Sequence, residues 1–446
     1  MRITWLSAEM GSYTSGGANH NRLFIEYLRN HPEIEKITIV RWPTPEKRMI
    51  LPEIQRFNGI DIYSPIIKLE LKNAINSFKK VKINIKEKLK FAFLRLFLKL
   101  KGFSTYDSTK IYESGLIGTL AVLLLSLETP FPNPFWKTVA KYIENSKPDI
   151  IQSQVEHLSI SGALAREQAK GHLSFQYLIE GCDADTKKGT LEYEFANRMT
   201  EALNWVIESD KTDLFLPVSE SVEKYLIKHK ADQNKIKIIH SPIELKKFPF
   251  IDKQSAREKL GLPKHKKIIL SIGRMMPRKR YEDIIEILKK LPNDVILYIK
   301  RSSCISDDII DTSKNLISLI KKYKLSNRVI IDDKELPYEQ MVHVYTACDV
   351  AVYPFLEEPF GMCATEAMAS SRPLIVYDSG YLPHFIKNNG FIVKPLDLED
   401  LYQKTKLLLD DEELAKEMGE KGRELAQTYD INVLGEKLVN LYREFL

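Results

Sequence analysis

The residues whose types and spacing best suit chemistry are two glutamates, Glu358 and Glu366, which are separated by seven residues. An apolar run at 350–354 precedes them, so the pattern predicts a strand, a loop and a helix that begins near Gly361. The start of a helix offers unpaired backbone N–H groups and the positive end of its dipole, which suit an anion. Glu366 would lie about one and a half turns into this helix, with Glu358 in the loop before it. In these positions the two carboxylates can accept hydrogen bonds from separate hydroxyls of one ligand. The alternative, two unrelated surface glutamates, does not account for the whole pattern of strand, loop and helix.

Two basic residues come shortly after another predicted strand. Gly273 ends an apolar run, Arg274 follows it directly, and Lys279 lies five residues beyond Arg274. Ligands of open α/β sheets bind at the carboxyl ends of the strands, so both cations are placed to meet an anionic group there. Arginine can bind a phosphate through two parallel hydrogen bonds, and lysine acts as a compact charge. The alternative is a solvent-exposed basic loop, and we expect surface positions for the neighbouring Arg278 and Arg280.

A pair of glycines, Gly16 and Gly17, follows the first predicted strand and precedes the first predicted helix. Paired glycines permit a tight turn and bring backbone amides close to an anion. Because a plain turn would have the same sequence, the pair is a candidate binding element with an ordinary turn as its alternative.

The stretch from Glu358 to Glu366 resembles the E-x7-E signature of retaining nucleotide-sugar glycosyltransferases of the GT-B fold, family 4, also described as glycosyl transferases group 1. The resemblance implies that Glu366 holds the ribose of the nucleotide and that Glu358 lies against the transferred sugar. It also implies that backbone donors to the sugar or phosphate come from Phe360, Gly361 and Met362. The likeness is strong over 273–393 and weak over 42–135.

The same resemblance implies roles for the other candidate residues. Arg274 and Lys279 would neutralise the diphosphate leaving group beside Gly273, and Gly16 and Gly17 would touch the donor phosphates from the opposite domain. The expected donor is a UDP- or GDP-sugar, with no further cofactor and no metal ion. Where the family has a glycine-rich turn, this chain has Lys300 and Arg301, and we expect them to add positive charge near the nucleotide.

One position departs from the family pattern. Many members end a strand of the first domain with His-Gly-x-Asp, and this chain has Glu180 at the histidine position. A carboxylate cannot copy the neutral donor of imidazole, but it can orient hydroxyls or take a proton. Glu180 is therefore either a catalytic residue or a loop acid without a catalytic role. Asp183 and Asp185 are a common loop pattern, and we do not expect them to bind a metal.

The composition is that of a soluble globular protein. The chain has 446 residues, of which 44% are hydrophobic and 28% charged, enough for two large domains. Its four cysteines lack C-x-x-C spacing, which fits a reducing cytosol and favours neither structural zinc nor disulfides. Neither a signal peptide nor a transmembrane span is predicted. We expect a cytoplasmic protein without a nucleic-acid partner.

Apolar strand patterns alternate with helical patterns in two successive blocks, which predicts an α/β protein with two facing Rossmann-like, doubly wound domains and a cleft between them. The predicted domains are 1–242 on the acceptor side, with a basic amphipathic insertion near 70–130, and 243–430 on the nucleotide-sugar side. The resemblance implies that a helix at 431–446 crosses back to the first domain. The predicted strands are 3–6, 37–41, 149–152, 175–179, 214–218, 236–240, 266–272, 295–299, 329–331, 350–353 and 374–376.

The segment 79–101 has eight lysines and one arginine but only one acidic residue. As a helix it would carry two apolar stripes, with Lys88, Arg95 and Lys99 on the polar face between them. Such helices bind anionic lipid surfaces, at roughly 1 kcal/mol for each well-placed cation. The alternatives are a buried helix with a solvated basic edge and a docking surface for an acidic protein.

The resemblance, together with the basic segment 79–101, implies a hexosyltransferase of glycan biosynthesis. It would transfer a sugar, with retention and without a metal, from a nucleotide diphosphate sugar to a hydroxyl acceptor that is lipid-linked at the cytosolic face of a membrane. Two alternatives stay open: a cytosolic transferase with a soluble sugar acceptor, and a catalytically inactive GT-B binding protein.

Overall fold

The computed structural model describes residues 1–7, 16–41, 60–63, 68–70, 105–107, 134–153, 156–166, 172–175, 191–301, 307–334 and 336–446. Glu180, Asp183, Asp185 and the basic segment 79–101 lie outside these described residues.

The first half of the chain forms a six-stranded parallel sheet. Its strands are β1 (Arg2–Ser7), β2 (Lys36–Arg41), β3 (Ile60–Tyr63), β6 (Ile150–Ser153), β7 (His172–Phe175) and β8 (Leu214–Phe215), and β4 (Lys68–Glu70) pairs antiparallel with β5 (Thr105–Asp107) in a separate sheet. The order β3-β2-β1-β6-β7-β8 is that of a doubly wound fold. Because the central strands of a parallel sheet are covered on both faces, their side chains Trp5 and Ile39 are fully buried.

Helices join these strands. They are α1 (Gly16–Arg29), α2 (Pro134–Asn145), α3 (Glu156–Arg166), α4 (Leu191–Glu208) and α5 (Glu220–Lys228). The last of them begins where Ser219 accepts a hydrogen bond from the N–H of Val222, a normal N-cap.

The second half repeats the plan with the strand order β11-β10-β9-β12-β13-β14. These strands are β9 (Lys267–Gly273), β10 (Val295–Arg301), β11 (Val329–Asp332), β12 (Val350–Tyr353), β13 (Leu374–Tyr377) and β14 (Gly390–Val393). Their buried side chains, among them Ile269, Leu297 and Val352, pack with the surrounding helices into one core. All five strands predicted in this half are present, and β14 is an additional one.

The helices of the second half are α6 (Lys253–Leu260), α7 (Tyr281–Leu288), α8 (Asp307–Lys322), α9 (Met341–Thr346), α10 (Met362–Ala369), α11 (Leu398–Asp410), α12 (Glu412–Ala426) and α13 (Ile431–Phe445). No described helix has the length and apolar content needed to cross a membrane.

Three strand predictions for the first half need correction. The strand expected at 175–179 is observed at His172–Phe175, and 176–179 lie outside the described residues. The strand expected at 214–218 ends at Phe215, and 236–240 is extended chain with a single bridge from Ile236 to Phe215. Pro217 explains the last two differences, because its carbonyl accepts from Ile239 at 3.0 Å but it has no N–H with which to continue the ladder.

By their contacts the residues divide into two compact units. One comprises 1–12, 25–239 and 438–446, and the other comprises 13–24 and 240–437. Within the first unit, the Tyr442 hydroxyl near the end of α13 donates to Oε1 of Gln152 at 2.8 Å. All the residues of the candidate site described below belong to the second unit.

Candidate active site

Glu358 lies in the loop between β12 and α10 and accepts hydrogen bonds from two cations. Its Oε2 is 2.6 Å from Nζ of Lys279 and 3.2 Å from Nη1 of Arg278. The three side chains are largely withdrawn from solvent, with exposed fractions of 14% for Glu358, 7% for Lys279 and 18% for Arg278. The structure therefore brings together two of the predicted residues, Glu358 and Lys279, and adds a third.

The charges of this cluster determine its protonation. Burial by itself would raise the pKa of Glu358, but the positive charges of Lys279 and Arg278 outweigh it and lower that pKa to about 2. Burial lowers the pKa of Lys279, an effect that the negative charge of Glu358 opposes. The ammonium also lies 3.6 Å from the centroid of the Phe355 ring. Glu358 is thus an ionised carboxylate throughout the physiological range and has no proton to donate.

Arg278 corrects a prediction, because the sequence placed it at the surface. It is held by Glu358 and by the backbone, since its carbonyl accepts from the N–H of Leu356 at 2.8 Å. Arg280 pairs instead with Asp283 at 2.7 Å, and its side chain is 28% exposed. Consecutive turn residues point in different directions, so a basic run does not by itself reveal which member enters the site.

Two glycines allow the loop to fold around Glu358. Gly361 has φ +95°, and a Cβ on it would collide with Leu382 and lie 3.3 Å from Cγ of Glu358. Gly380 has φ +61°, and a Cβ there would lie 2.5 Å from the backbone N and O of Glu358. Tyr381 then donates its N–H to the Glu358 carbonyl at 2.9 Å. Gly361 was predicted, whereas Gly380 was missed because its partner is remote in the chain.

Helix α10 begins at Met362, directly after Gly361, as the spacing predicted. A glycine at the N-cap has no side chain with which to bond the first N–H groups of the helix. The positive end of the helix dipole therefore lies directly after the Glu358 loop, where an anion would be stabilised.

Glu366 occupies a different environment on the same helix. It is only 6% exposed, and its Oε2 accepts from the Tyr345 hydroxyl at 2.5 Å. Burial raises its pKa to about 7, although the Tyr345 hydrogen bond and the charge of Arg22 act in the opposite direction. The Arg22 guanidinium lies 4.5 Å from the centroid of the Tyr338 ring, and Arg22 is itself buried. Arg22, Tyr338 and Tyr345 were missed, because no spacing rule connects them with Glu366.

Gly273 and Arg274 lie at the carboxyl end of β9, as predicted. A Cβ on Gly273 would be 3.2 Å from both Cε of Lys279 and the hydroxyl of Tyr281, so the glycine makes room for the lysine. Arg274 is exposed, and its charge contributes to the low pKa of Glu358. The Tyr281 hydroxyl is buried and has no hydrogen-bond partner among the described residues.

The remaining predicted residues have the following positions. Gly16 and Gly17 begin helix α1, whose first residues belong to the same unit as Glu358. The Phe360 ring is buried in an aromatic cluster with His240 at 5.6 Å, Tyr381 at 5.4 Å and Phe385 at 5.2 Å between ring centroids. Donation by its backbone stays a prediction.

Lys300 and Arg301 do not add free charge at the sheet edge. Lys300 pairs with Asp332 at 3.0 Å, and Arg301 pairs with Asp333 at 2.9 Å. No group of three or more potential metal ligands occurs within the described parts of the chain, and independence of metal stays a prediction.

Solved structures with the same architecture place the chain in the GT-B class. Sucrose-phosphate synthase from Thermosynechococcus elongatus has a TM-score of 0.72 and 19% identity, covering 100% of this chain and 98% of that one. Anabaena HepE in complex with UDP and glucose has a TM-score of 0.70 and 15% identity, with 100% of both chains covered. The glycosyltransferase WaaG, involved in lipopolysaccharide biosynthesis, has a TM-score of 0.62 and 13% identity, with 99% of both covered. These likenesses confirm the predicted GT-B fold class.

Sequence similarity to known proteins covers part of the chain. Residues 252–425 match the family model of the glycosyl transferases group 1, the family that the resemblance implied. A D-inositol 3-phosphate glycosyltransferase of Mycolicibacterium smegmatis is 29% identical over 209 residues, which is 46% of this chain and 47% of the relative. Another, from Mycobacterium sp. strain KMS, is 28% identical over 194 residues, or 43% of each chain. The chain thus spans about half the length of the curated relatives it matches.

Proposed function

We propose that the protein is a retaining glycosyltransferase that moves a sugar from a nucleotide diphosphate sugar to a hydroxyl acceptor. The observation that carries the proposal is the ion cluster of Glu358, Lys279 and Arg278 beside the N-terminus of α10, with the buried Glu366 farther along that helix. The cluster offers cations and helix N–H groups to a diphosphate, and the two carboxylates can hold hydroxyls. The match of residues 252–425 to the glycosyltransferase family supports it.

The chemistry requires a charge to be stabilised as it develops. When the bond between the anomeric carbon and the phosphate oxygen breaks, negative charge grows on the leaving diphosphate. Lys279, Arg274 and the start of α10 are suited to stabilise that charge in place, and such preorganised electrostatic stabilisation often contributes more to catalysis than any other effect. Glu358 is ionised, so in this mechanism it accepts hydrogen bonds from the sugar and keeps Lys279 charged.

Retention can be achieved without a covalent intermediate. The acceptor oxygen approaches the anomeric carbon from the face that the diphosphate leaves, and the departing phosphate oxygen takes the proton of the acceptor hydroxyl. One carbon–oxygen bond forms as one breaks. A double displacement would instead need a carboxylate under the sugar ring, and Glu180 is the candidate for that alternative.

For the donor we propose a UDP- or GDP-sugar that is used without a metal ion. The cations of the cluster supply the neutralising charge that a divalent ion would otherwise bring. HepE, a solved structure of the same fold, was obtained with UDP and glucose.

The acceptor proposal is a lipid-linked glycan at the cytosolic surface of a membrane, and it depends on the basic segment 79–101. A soluble acceptor is the rival, and the curated relatives, named for D-inositol 3-phosphate, favour it.

A binding and turnover experiment tests the proposed activity. Titration of the full chain with UDP, GDP and ADP should reveal one preferred nucleotide, whose sugar conjugates are then assayed for transfer or slow hydrolysis, with and without EDTA. We expect turnover that EDTA leaves unchanged and a product of retained anomeric configuration. Nucleotide binding without any hydrolysis or transfer would favour the inactive binding protein, and an inverted product would reject retention.

Sedimentation with vesicles tests the acceptor proposal. Vesicles with anionic lipid should carry down the wild type at low salt and release it at high salt, because exposed charges are screened beyond about 10 Å at 0.1 M. Changing Lys88, Arg95 and Lys99 to Glu should abolish this binding while nucleotide affinity is kept. A control with the same change of charge replaces the exposed Lys264, Lys290 and Lys416 by Glu. If the control loses as much binding, or the wild type never sediments, the soluble acceptor is favoured.

A further inference from the structure

Tyr281 has a buried hydroxyl that forms no hydrogen bond with the described residues. It is the first residue of helix α7, and its side chain is 0% exposed. Three other fully buried tyrosines, Tyr345, Tyr353 and Tyr377, each donate the hydroxyl to an oxygen atom. A buried hydroxyl without a hydrogen bond lowers stability, because it has lost its bonds to water. A phenylalanine would fill the same space without that cost, so the hydroxyl calls for an explanation other than folding.

The Tyr281 hydroxyl lies beside the side chain of Lys279. A Cβ on Gly273 would be 3.2 Å from this hydroxyl, 3.2 Å from Cε of Lys279 and 3.5 Å from its Nζ. The hydroxyl and the ammonium therefore approach the same side of residue 273, and they can do so because that residue is a glycine. The explanation for the hydroxyl is thus to be sought at Lys279.

The Lys279 ammonium has donors to spare. It carries three N–H groups, and Glu358, at 2.6 Å, is its only hydrogen-bond acceptor in the part of the chain that the structure describes. A diphosphate oxygen would take a second N–H, which leaves the third for another acceptor. Burial above all raises the pKa of Tyr281 well above its ordinary value, so its hydroxyl stays neutral. A neutral acceptor can hold the ammonium without cancelling its charge.

We propose that Tyr281 is a positioning residue for Lys279, and that its hydroxyl accepts a hydrogen bond from the ammonium as the diphosphate departs. This inference rests on the proposed function, in which Lys279 meets the leaving diphosphate. Growing negative charge on the phosphate oxygen draws the ammonium away from Glu358. The Tyr281 hydroxyl then serves as a second anchor, which keeps the ammonium at the end of β9 where the charge develops.

The first test is Tyr281→Phe, which removes the hydroxyl and keeps the ring that packs in the core. With the preferred sugar nucleotide as substrate, kcat should fall by roughly tenfold, the effect of one hydrogen bond to a charged group. Affinity for the sugar nucleotide, measured by calorimetric titration, should stay within about threefold, because the hydrogen bond gains its strength at the transition state. An unchanged kcat would overturn the inference.

The thermal stability of the variants separates positioning from a structural role. Because Tyr281→Phe removes an unsatisfied hydroxyl, its Tm should be equal to that of the wild type or higher. The control is Tyr377→Phe, since Tyr377 is equally buried and its hydroxyl donates to Asp283 of the same helix α7 at 2.7 Å. The control should have a Tm lower by roughly 2–4 °C and a kcat within about twofold of the wild type. A lower Tm for Tyr281→Phe, with equal losses of kcat in both variants, would show a structural role and overturn the inference.

A double variant connects the effect to the ammonium. When Tyr281→Phe is added to Lys279→Ala, kcat should change by less than about twofold, because no ammonium is left to position. A tenfold loss on both backgrounds would overturn the inference while the proposed function stands. Failure of the wild type to turn over any nucleotide diphosphate sugar would overturn the proposed function, and the inference with it.

Discussion

Glu358 and Glu366 have the same side chain and are separated by seven residues, yet their surroundings have opposite effects. Glu358 is surrounded by cations that lower its pKa to about 2. Glu366 is buried and accepts a hydrogen bond from Tyr345, and burial raises its pKa to about 7 in spite of that bond and of the charge of Arg22. The difference arises because the positive charges of Lys279 and Arg278 outweigh the burial of Glu358, whereas the Tyr345 hydrogen bond and the charge of Arg22 do not outweigh the burial of Glu366.

This contrast divides the candidate site into two parts with different physical tasks. The part around Glu358 concentrates fixed charges, which is useful where charge develops during a reaction. The part around Glu366 is a buried hydrogen-bonding position, which is useful for binding neutral hydroxyls tightly. We therefore expect substitutions around Glu358 to act mainly on turnover and substitutions around Glu366 to act mainly on affinity.

The largest effect is expected for Lys279→Ala. Loss of a preorganised charge at the leaving group should lower kcat by about 100- to 1,000-fold, with a much smaller change in the affinity for the sugar nucleotide. Initial-rate kinetics measure kcat, and calorimetric titration measures the affinity for the donor. The control is Lys246→Ala, because Lys246 is also paired with a glutamate but is 78% exposed. A loss confined to donor affinity would contradict the assignment of this part to turnover.

The next largest effect is expected for Glu366→Ala. Removal of a charged acceptor of hydrogen bonds from the ribose should weaken binding of the nucleoside diphosphate by roughly ten- to a hundredfold. The exposed Glu417, whose partner is Lys421, provides the control as Glu417→Ala. Unchanged nucleotide affinity in the folded Glu366 variant would show that the ribose binds elsewhere.

Of the two glutamates, Glu366 should make nucleotide binding depend on pH between about 6 and 8. With a pKa of about 7, this carboxyl is mostly ionised at pH 8 and mostly protonated at pH 6, so affinity should fall by about tenfold between them. Glu358 stays ionised over that range. Nucleotide affinity is measured for the wild type and for Glu366→Gln at both pH values. Protonation of the nucleotide itself affects both proteins equally, so it drops out of the comparison. Parallel pH profiles for the two proteins would contradict the raised pKa.

We expect the contributions of Glu366 and Glu358 to stability to change with pH in opposite directions. The pKa of Glu366 is raised above its ordinary 4.5, so its contribution to stability is complete below pH 4.5 and is lost as the pH rises through 7. The pKa of Glu358 is lowered, so its contribution is present above pH 4.5 and is lost as the pH falls toward 2.

At pH 8, Glu366→Gln should therefore raise the apparent Tm by about 2–5 °C, and Glu358→Gln should lower it by about 5–10 °C. Differential scanning calorimetry at pH 8 measures both changes. Shifts of the same sign in the two variants would show that the two environments do not differ as described.

Patterns local in sequence predicted much of this architecture. The buried runs of the second sheet and the start of α10 after Gly361 follow from hydrophobic periodicity and from one glycine. The ends of short strands were harder to predict. An apolar run predicted that β8 continues past Phe215, but Pro217 ends it. The partners of the glutamates could not be predicted, because Tyr345 and Gly380 reach them only through tertiary packing.

Arg278 is the clearest example of a site residue that local sequence patterns did not predict. Its substitution should have the smallest of the expected effects. Its guanidinium shares Oε2 of Glu358 with Lys279, at the longer distance of 3.2 Å against 2.6 Å. Arg278→Ala should leave Glu358 paired with Lys279 and lower kcat by only about three- to tenfold, in line with one partly exposed charge. Arg280→Ala is the matched control, because Arg280 pairs with Asp283 and Glu282 instead. Steady-state kinetics measure kcat for both variants. An equal loss of kcat in both would show that Arg278 acts through the stability of the turn. A loss of kcat in Arg278→Ala alone would add Arg278 to the charged part of the site as a third cation.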